Sequence, residues 1–292
     1  MKSVRVLVRS LEHHVLVWEP DGVPERGNVV LLHGYMDAGA TFDLVASRLA
    51  ASGYRCFAPD MRGYGEGARI PGGTYYHFPD YILDLHGILA ALKLEAPLTV
   101  VGHSMGGTVA TLFAGAFPER VAALALLEGV GPPDHAPDAA PDRMRQWVTG
   151  VNDGQKKAAR TFSLEEALSR LALSHPGVDL GVLATRVPHL TKLQADGSVS
   201  WAYDSLHRTL SPTPFYARTL IAFAKKVTAQ VLFVGGGTEG YHPPDEGERL
   251  AAFATLERVD LEGAGHMLHW TQPAELARAL SDWLDRTVKN VK

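Results

Sequence analysis

The sequence predicts an α/β protein, a mostly parallel sheet with helices on both faces. Three observations carry that prediction. Val29–Leu32, Leu98–Val101 and Val231–Val234 are short runs that are apolar almost throughout, the composition of strands buried on both faces. Each run leads into a loop containing glycine, at Gly34, Gly102 and Gly235. Segments with apolar residues at helical spacing separate the runs, the alternation that builds parallel sheets.

The chain has 292 residues, 46% of them hydrophobic and 21% charged, with a formal net charge of −4. That is enough chain for one large domain or a domain with an insertion. A mildly acidic chain without a dense Lys/Arg run argues against a nucleic-acid partner. The single cysteine, Cys56, lies in the apolar run Tyr54–Ala58 and reads as a small buried hydrophobe. One cysteine allows no internal disulfide, which fits a reducing compartment. The first residues lack a long apolar core and a small-residue cleavage site, and no window approaches a membrane span. A cytoplasmic location follows as the expectation.

In chain order, Val4–Val8 and Val15–Trp18 read as an antiparallel pair at a sheet edge. Between them, His13 and His14 are adjacent, so in a strand they face opposite sides and cannot share a metal; surface histidines are expected. Val29–Leu32 is a buried strand that ends in His33-Gly34-Tyr35-Met36-Asp37. A glycine there lets the backbone turn closely and offers N–H groups above the sheet. Thr41–Ser52 has helical spacing, with Phe42, Val45 and Leu49 on one face and Gly53 as its stop. Tyr54–Ala58 is the next strand, followed by Asp60-Met61-Arg62-Gly63-Tyr64-Gly65, a loop whose charged residues are expected to pin it by ion pairing. Tyr75–Ala91 reads as a helix, with His77 and Asp84 structural or exposed.

Leu98–Val101 opens the stretch that organises the rest. Gly102-His103-Ser104-Met105-Gly106-Gly107 follows it, and a helix of small and apolar residues runs from Thr108 to Phe117. Gly102, Ser104 and Gly106 form G-x-S-x-G between a strand and a helix, the context a nucleophile elbow requires. The turn holds serine at a strained backbone angle, and its neighbours two residues away must lack side chains or strand and helix would collide. The helix N-terminus then points at the serine, which suits a developing oxyanion. The N–H groups of Tyr35 and Met105 are the expected oxyanion-hole donors.

Val121–Leu127 is a further strand, and Glu128 stands directly at its carboxyl end, where ligands and catalytic groups of open α/β sheets gather. From Pro132 the composition shifts. Asp134–Asp142 is rich in Pro, Ala and Asp, and Met144–Val151 and Leu164–Ser174 look helical. The reading is a core over 1–132 and 215–292, with a mostly helical insertion over 133–214 that covers the site. Val231–Val234 resumes the strand pattern, and Glu239 sits in the glycine loop after it. Leu256–Leu261 is the last strand. Gly263-Ala264-Gly265-His266 follows, and Pro273–Val288 closes the chain as an amphipathic helix.

The order is therefore a serine, an acid, then a histidine. Serine is a poor nucleophile until an imidazole takes its proton, and that imidazole needs a carboxylate to fix its tautomer. His266 lies in a mobile turn suited to reaching Ser104, and His269 is assigned to packing. The His33-Gly34 loop, Asp60-x-Arg62-Gly63-x-Gly65, GHSMGG and GAGH resemble the α/β-hydrolase superfamily. Tyr76-His77-Phe78-Pro79-Asp80-Tyr81 and Leu127–Pro132 resemble more narrowly its serine-hydrolase-like branch. The resemblance covers nearly the whole chain except much of 134–214. It implies an eight-stranded, mostly parallel sheet with a helical cap. It also implies two positions for the acid: Glu128, as in branches that carry a Glu after the elbow helix's following strand, and Glu239, near the superfamily's commoner place. Glu128 is preferred and Glu239 is the alternative.

The expected chemistry is hydrolysis of a carboxylic ester or related acyl bond of a small to medium substrate, with Ser104, His266 and the acid as the catalytic set. A cofactor-free lyase, a carbon–carbon hydrolase and a small-molecule receptor with little turnover are the alternatives on this fold. No metal and no organic cofactor is implied, and nothing in the sequence encodes an oligomeric state.

Overall fold

A computed structural model describes residues 1–155 and 160–288. Among the described residues are ten strands and ten α-helices. The chain begins with β1 (Lys2–Val8), β2 (Leu11–Trp18), β3 (Gly27–Leu32), α1 (Asp43–Ala51) and β4 (Tyr54–Pro59). Next come α2 (Phe78–Ala91), β5 (Leu98–His103), α3 (Met105–Ala116) and β6 (Val121–Leu127). The following stretch holds α4 (Ala140–Gln155), α5 (Leu164–Ser174), α6 (Leu180–Leu190), β7 (Thr191–Leu193) and β8 (Val199–Trp201). The chain then forms α7 (Ala217–Ala224), β9 (Gln230–Gly235), α8 (Glu246–Ala251), β10 (Leu256–Asp260), α9 (Leu268–Thr271) and α10 (Pro273–Val288).

Eight strands form one sheet in the order β1-β2-β4-β3-β5-β6-β9-β10. β1 with β2 and β2 with β4 are antiparallel, and the remaining neighbours are parallel. Alternation along the central strands divides the core into two layers. Val30, Leu32 and Val100 face one layer with Leu85, Ile88 and Leu89 of α2 and Val109 and Phe113 of α3. Val29, Leu31 and Val101 face the other with Val45 and Leu49 of α1 and Leu280, Trp283 and Leu284 of α10. Leu31 and Leu49 are fully buried, each worth about 1.5–3 kcal/mol of apolar transfer. Cys56 lies in the second layer, where burial pushes its thiol up to about 12.

β2 is not an exposed strand. It lies between β1 and β4, and His13 and His14 are buried rather than on the surface. They do face opposite sides. His14 Nδ1 donates to Asp60 Oδ2 at 2.7 Å, and His13 Nε2 lies 3.7 Å from Asp84 Oδ1. Paired carboxylates make burial of these polar rings tolerable. Asp84 is likewise buried and receives Arg62, which also reaches Asp80 at 3.1 Å. The charged loop after β4 is thus pinned by pairs that run to β2 and α2.

The stretch 134–214 carries α4, α5, α6 and the short antiparallel hairpin β7–β8; residues 156–159 lie outside the described residues. Pro188 sits inside α6, which hides that helix from periodicity because proline reads as a stop. Phe162, Leu171, Leu183 and Val187 from this stretch form a third cluster with Ala38, Met267 and Trp270. Arg186 adds a bond to Asp43 Oδ1 at 2.6 Å. Among the described residues no helix is long and apolar enough to cross a membrane.

Candidate active site

The carboxyl ends of β3, β5 and β6 and the loops after β9 and β10 converge on one pocket. β5 ends at His103, and Ser104 follows at φ 50° and ψ −115° before α3 begins. Such an angle costs a serine about 1–3 kcal/mol and persists because neighbours enforce it. The two motif glycines are what permit it. A Cβ on Gly102 would lie 2.4 Å from Gly106 O, and one on Gly106 would lie 2.2 Å from Leu32 O. So Gly102 lets α3 fold back on its own strand, and Gly106 lets it pass over β3.

Ser104 Oγ lies 3.1 Å from His266 Nε2. His266 Nδ1 lies 3.2 Å from Glu128 Oε2. A carboxylate only accepts, so Nδ1 carries the proton and Nε2 is left to accept from the serine. Glu128 directly follows β6, and its φ of 52° turns the side chain toward the β9 loop. Its side chain has no exposed surface, while that of His266 is 38% exposed. Glu128 Oε1 accepts from Gly236 N–H at 2.6 Å, and Oε2 accepts from Tyr241 N–H as well as from His266. Two backbone donors therefore hold the carboxylate aimed at His266.

Glu239 lies in the same loop but is exposed. That loop's contribution to the constellation is main-chain, through Gly236 and Tyr241. Tyr241 N–H carries no mark in a sequence, so this support was not legible beforehand. Tyr35 and Met105 both line the pocket with Ser104. Among the described residues, neither of their N–H groups meets a protein acceptor.

The pocket has a volume of about 580 Å³ and is lined further by Phe78, Thr108, Gly131, Pro132, Pro133, Gly240 and Tyr241. Of the lining residues only Pro133 falls within 133–214, the stretch expected to cover the site. Arg249, buried at 1% exposure, braces the wall. Its Nη1 donates to the carbonyls of Val130, Gly131 and Pro132 at 2.9, 2.9 and 2.8 Å. No motif flagged Arg249, because an arginine in a helical run reads as a solvated face.

A second polar cluster lies beneath His266. His103 Nε2 donates to His266 O at 2.9 Å, and His269 Nε2 donates to Asp37 Oδ2 at 3.1 Å. The His103 and His269 rings are 4.4 Å apart. Burial holds both imidazoles below their ordinary range. Burial alone would raise Asp37, but the hydrogen bond and charge of His269, together with the charges of His33 and His103, outweigh it and keep the carboxyl low. Asp37, His103 and His269 place one potential ligand atom each within 4.8 Å of one another. Asp37 Oδ1 is taken by Ala38 N–H and Thr41 Oγ1; His269 is thus tied to the Asp37 loop, while His103 is tied to the His266 loop and meets His269 only through a ring contact.

Fold and site together define an α/β hydrolase. The model of the alpha/beta hydrolase fold family matches residues 27–273, and the chain belongs to that family. Among curated proteins, it is 28% identical over 285 residues to serine hydrolase-like protein 2 of Homo sapiens, covering 89% of this chain and 87% of that one. It is 32% identical over 161 residues to a serine hydrolase-like protein of Danio rerio, covering 52% of this chain and about half, 48%, of the zebrafish protein. Among solved structures, a hypothetical protein of Pseudomonas aeruginosa superposes with a TM-score of 0.85 at 26% identity, over 98% of this chain and all of that one.

Proposed function

We propose that this protein is a serine hydrolase that cleaves a carboxylic ester, or a related acyl bond, of a small to medium substrate through an acyl-enzyme. One observation carries the reading: the hydrogen-bonded chain from Ser104 through His266 to Glu128 at the mouth of the 580 Å³ pocket. Membership of a hydrolase family and the named relatives support it. The stretch 133–214 is the proposed cap.

In the first step Ser104 Oγ bonds to the carbonyl carbon while His266 Nε2 takes its proton. The carbonyl oxygen becomes an oxyanion, held by the N–H groups of Tyr35 and Met105. Collapse breaks the bond to the leaving oxygen, and the proton on Nε2 passes to it. In the second step a water bonds to the acyl carbon and gives His266 its proton. The Ser104–carbon bond breaks, the proton returns to Oγ, and the acid leaves. Glu128 stays ionised throughout and stabilises the imidazolium. Nothing in this scheme calls for a metal or an organic cofactor.

Hydrolysis of 4-nitrophenyl esters of increasing acyl length, by wild type and Ser104→Ala side by side, tests the proposal. Multiple turnover that disappears in Ser104→Ala is expected. Activity that survives the substitution, or absence of turnover on every ester, overturns it and turns attention to the fold's lyase and receptor alternatives.

A further inference from the structure

Tyr35 lies in the loop after β3 and lines the pocket with Ser104. The residue is 50% exposed, yet its phenol is not left to water. The Tyr35 hydroxyl donates to the main-chain carbonyl of His207, 172 residues further along the chain. That carbonyl is a fixed point. The His207 ring is stacked between Tyr64 and Tyr76. Asp204 N–H donates to Gly63 O at 2.7 Å, and Asp204 Oδ2 accepts from the Tyr76 hydroxyl at 2.8 Å. Ala202 O accepts from Arg69 Nη2 at 2.7 Å. Segment 202–207 of the proposed cap is thus fastened to the loop between β4 and α2, and it presents one carbonyl to Tyr35.

The backbone around Tyr35 needs such an anchor. Met36, the next residue, stands at φ 56°, a left-handed angle that a methionine keeps only where its surroundings enforce it. On the other side, His33 Nδ1 donates to Gly34 O at 2.8 Å. A trans peptide is planar, so holding that carbonyl also sets the direction of the Tyr35 N–H in the same plane. His33 therefore orients the N–H from the core side, and the phenol ties the same residue to segment 202–207. Building on the reading of the Tyr35 N–H as an oxyanion donor, we infer that the Tyr35 phenol is a positioning group: through His207 O it makes the seating of segment 202–207 a condition for a well-formed oxyanion hole. The acceptor is main-chain, so the link does not depend on the residue type at 207. It is the phenol that a substitution can remove.

Kinetics on 4-nitrophenyl butanoate with wild type, Tyr35→Phe, Asp204→Ala and the double variant test this, with melting temperatures recorded alongside. Tyr35→Phe keeps the ring on the pocket wall and removes only the hydroxyl. It is expected to lower kcat about tenfold with KM within about twofold, a smaller loss than the 10²–10³ that follows outright removal of an oxyanion donor. Affinity for a trifluoromethyl ketone, which Ser104 would convert into a bound oxyanion, should fall by the same factor. A purely structural role for the phenol would move melting temperature without that match. Asp204→Ala frees the segment from Tyr76 and removes the bond from Leu206 N–H to Asp204 Oδ1, so it should lower kcat in the same way. Both changes break one linkage, and the double variant should be no slower than the slower single variant. A kcat within about twofold of wild type in either single variant, or losses that multiply in the double variant, overturns the inference while leaving the hydrolase standing. Absence of turnover by folded wild type overturns the hydrolase reading on which it rests.

Discussion

Glu128 Oε1 accepts a hydrogen bond from Gly236 N–H at 2.6 Å, so the acid at the end of β6 is fastened to the loop after β9. The sequence offers an acid in each place, Glu128 after one strand and Glu239 after the other. In the fold, the first supplies the carboxylate beside His266 and the second strand's loop supplies main-chain donors to hold it.

Exchanging these two acids for amides should therefore have unequal effects. Glu128→Gln removes the charge opposite the imidazolium and turns an amide toward backbone donors. It is expected to lower kcat by about 10³–10⁴, the loss seen when a triad acid becomes an amide. Glu239→Gln is expected to stay within about threefold, as exposed substitutions do. Steady-state kinetics on one ester, with melting temperatures recorded alongside, checks both. Equal losses in the two variants would contradict the assignment.

Arg249 ties α8 to the pocket wall through three carbonyls and pairs with Asp245 at 2.8 Å. Arg249→Met keeps the bulk but leaves those carbonyls without their donor. We expect a stability loss of about 3 kcal/mol or more in urea unfolding, because a buried network has lost its hub. KM for esters should rise as well, since Gly131, Pro132 and Pro133 line the pocket. Unchanged stability and KM would show that the wall stands without the arginine.

His207 is stacked between Tyr64 and Tyr76 at 4.0 and 4.1 Å. Burial pulls it down from 6.5 to about 4. Between those values the unfolded chain binds a proton that the folded protein does not. The stabilisation from neutral His207 is thus complete above pH 6.5 and is lost as pH falls toward 4. Its size is about 3 kcal/mol in full and about 2 kcal/mol by pH 5. Burial shifts His103, His175 and His269 in the same direction. The melting temperature is expected to fall between pH 7 and pH 5. His207→Phe, which keeps a stacking ring without a titrating group, should narrow that fall. An equal fall in both proteins would remove His207 from the explanation.

What the sequence revealed follows physical lines. β3, β5 and β9 were legible because central parallel strands exclude polar residues from both faces. α10 was legible because one face meets Leu31's layer and the other meets water. GHSMGG was legible because steric conflict at Gly102 and Gly106 leaves no other residue free to stand there. His13 and His14 misled because β2 buries polar rings against Asp84 and Asp60, partners 71 and 46 residues away. α6 was hidden by Pro188, and β7–β8 by strands of three residues each. The hold on Glu128 comes from the N–H groups of Gly236 and Tyr241, which every residue but proline possesses. Such support has no signature in residue type.

The most direct test of the account is to trap the covalent intermediate. Wild type mixed rapidly with a 4-nitrophenyl ester and quenched in acid within the first turnover should gain the mass of one acyl group. Peptide mapping should place it on Ser104, and Ser104→Ala should gain nothing. Steady turnover with no adduct, or an adduct on another side chain, would contradict the central claim that Ser104 is the nucleophile.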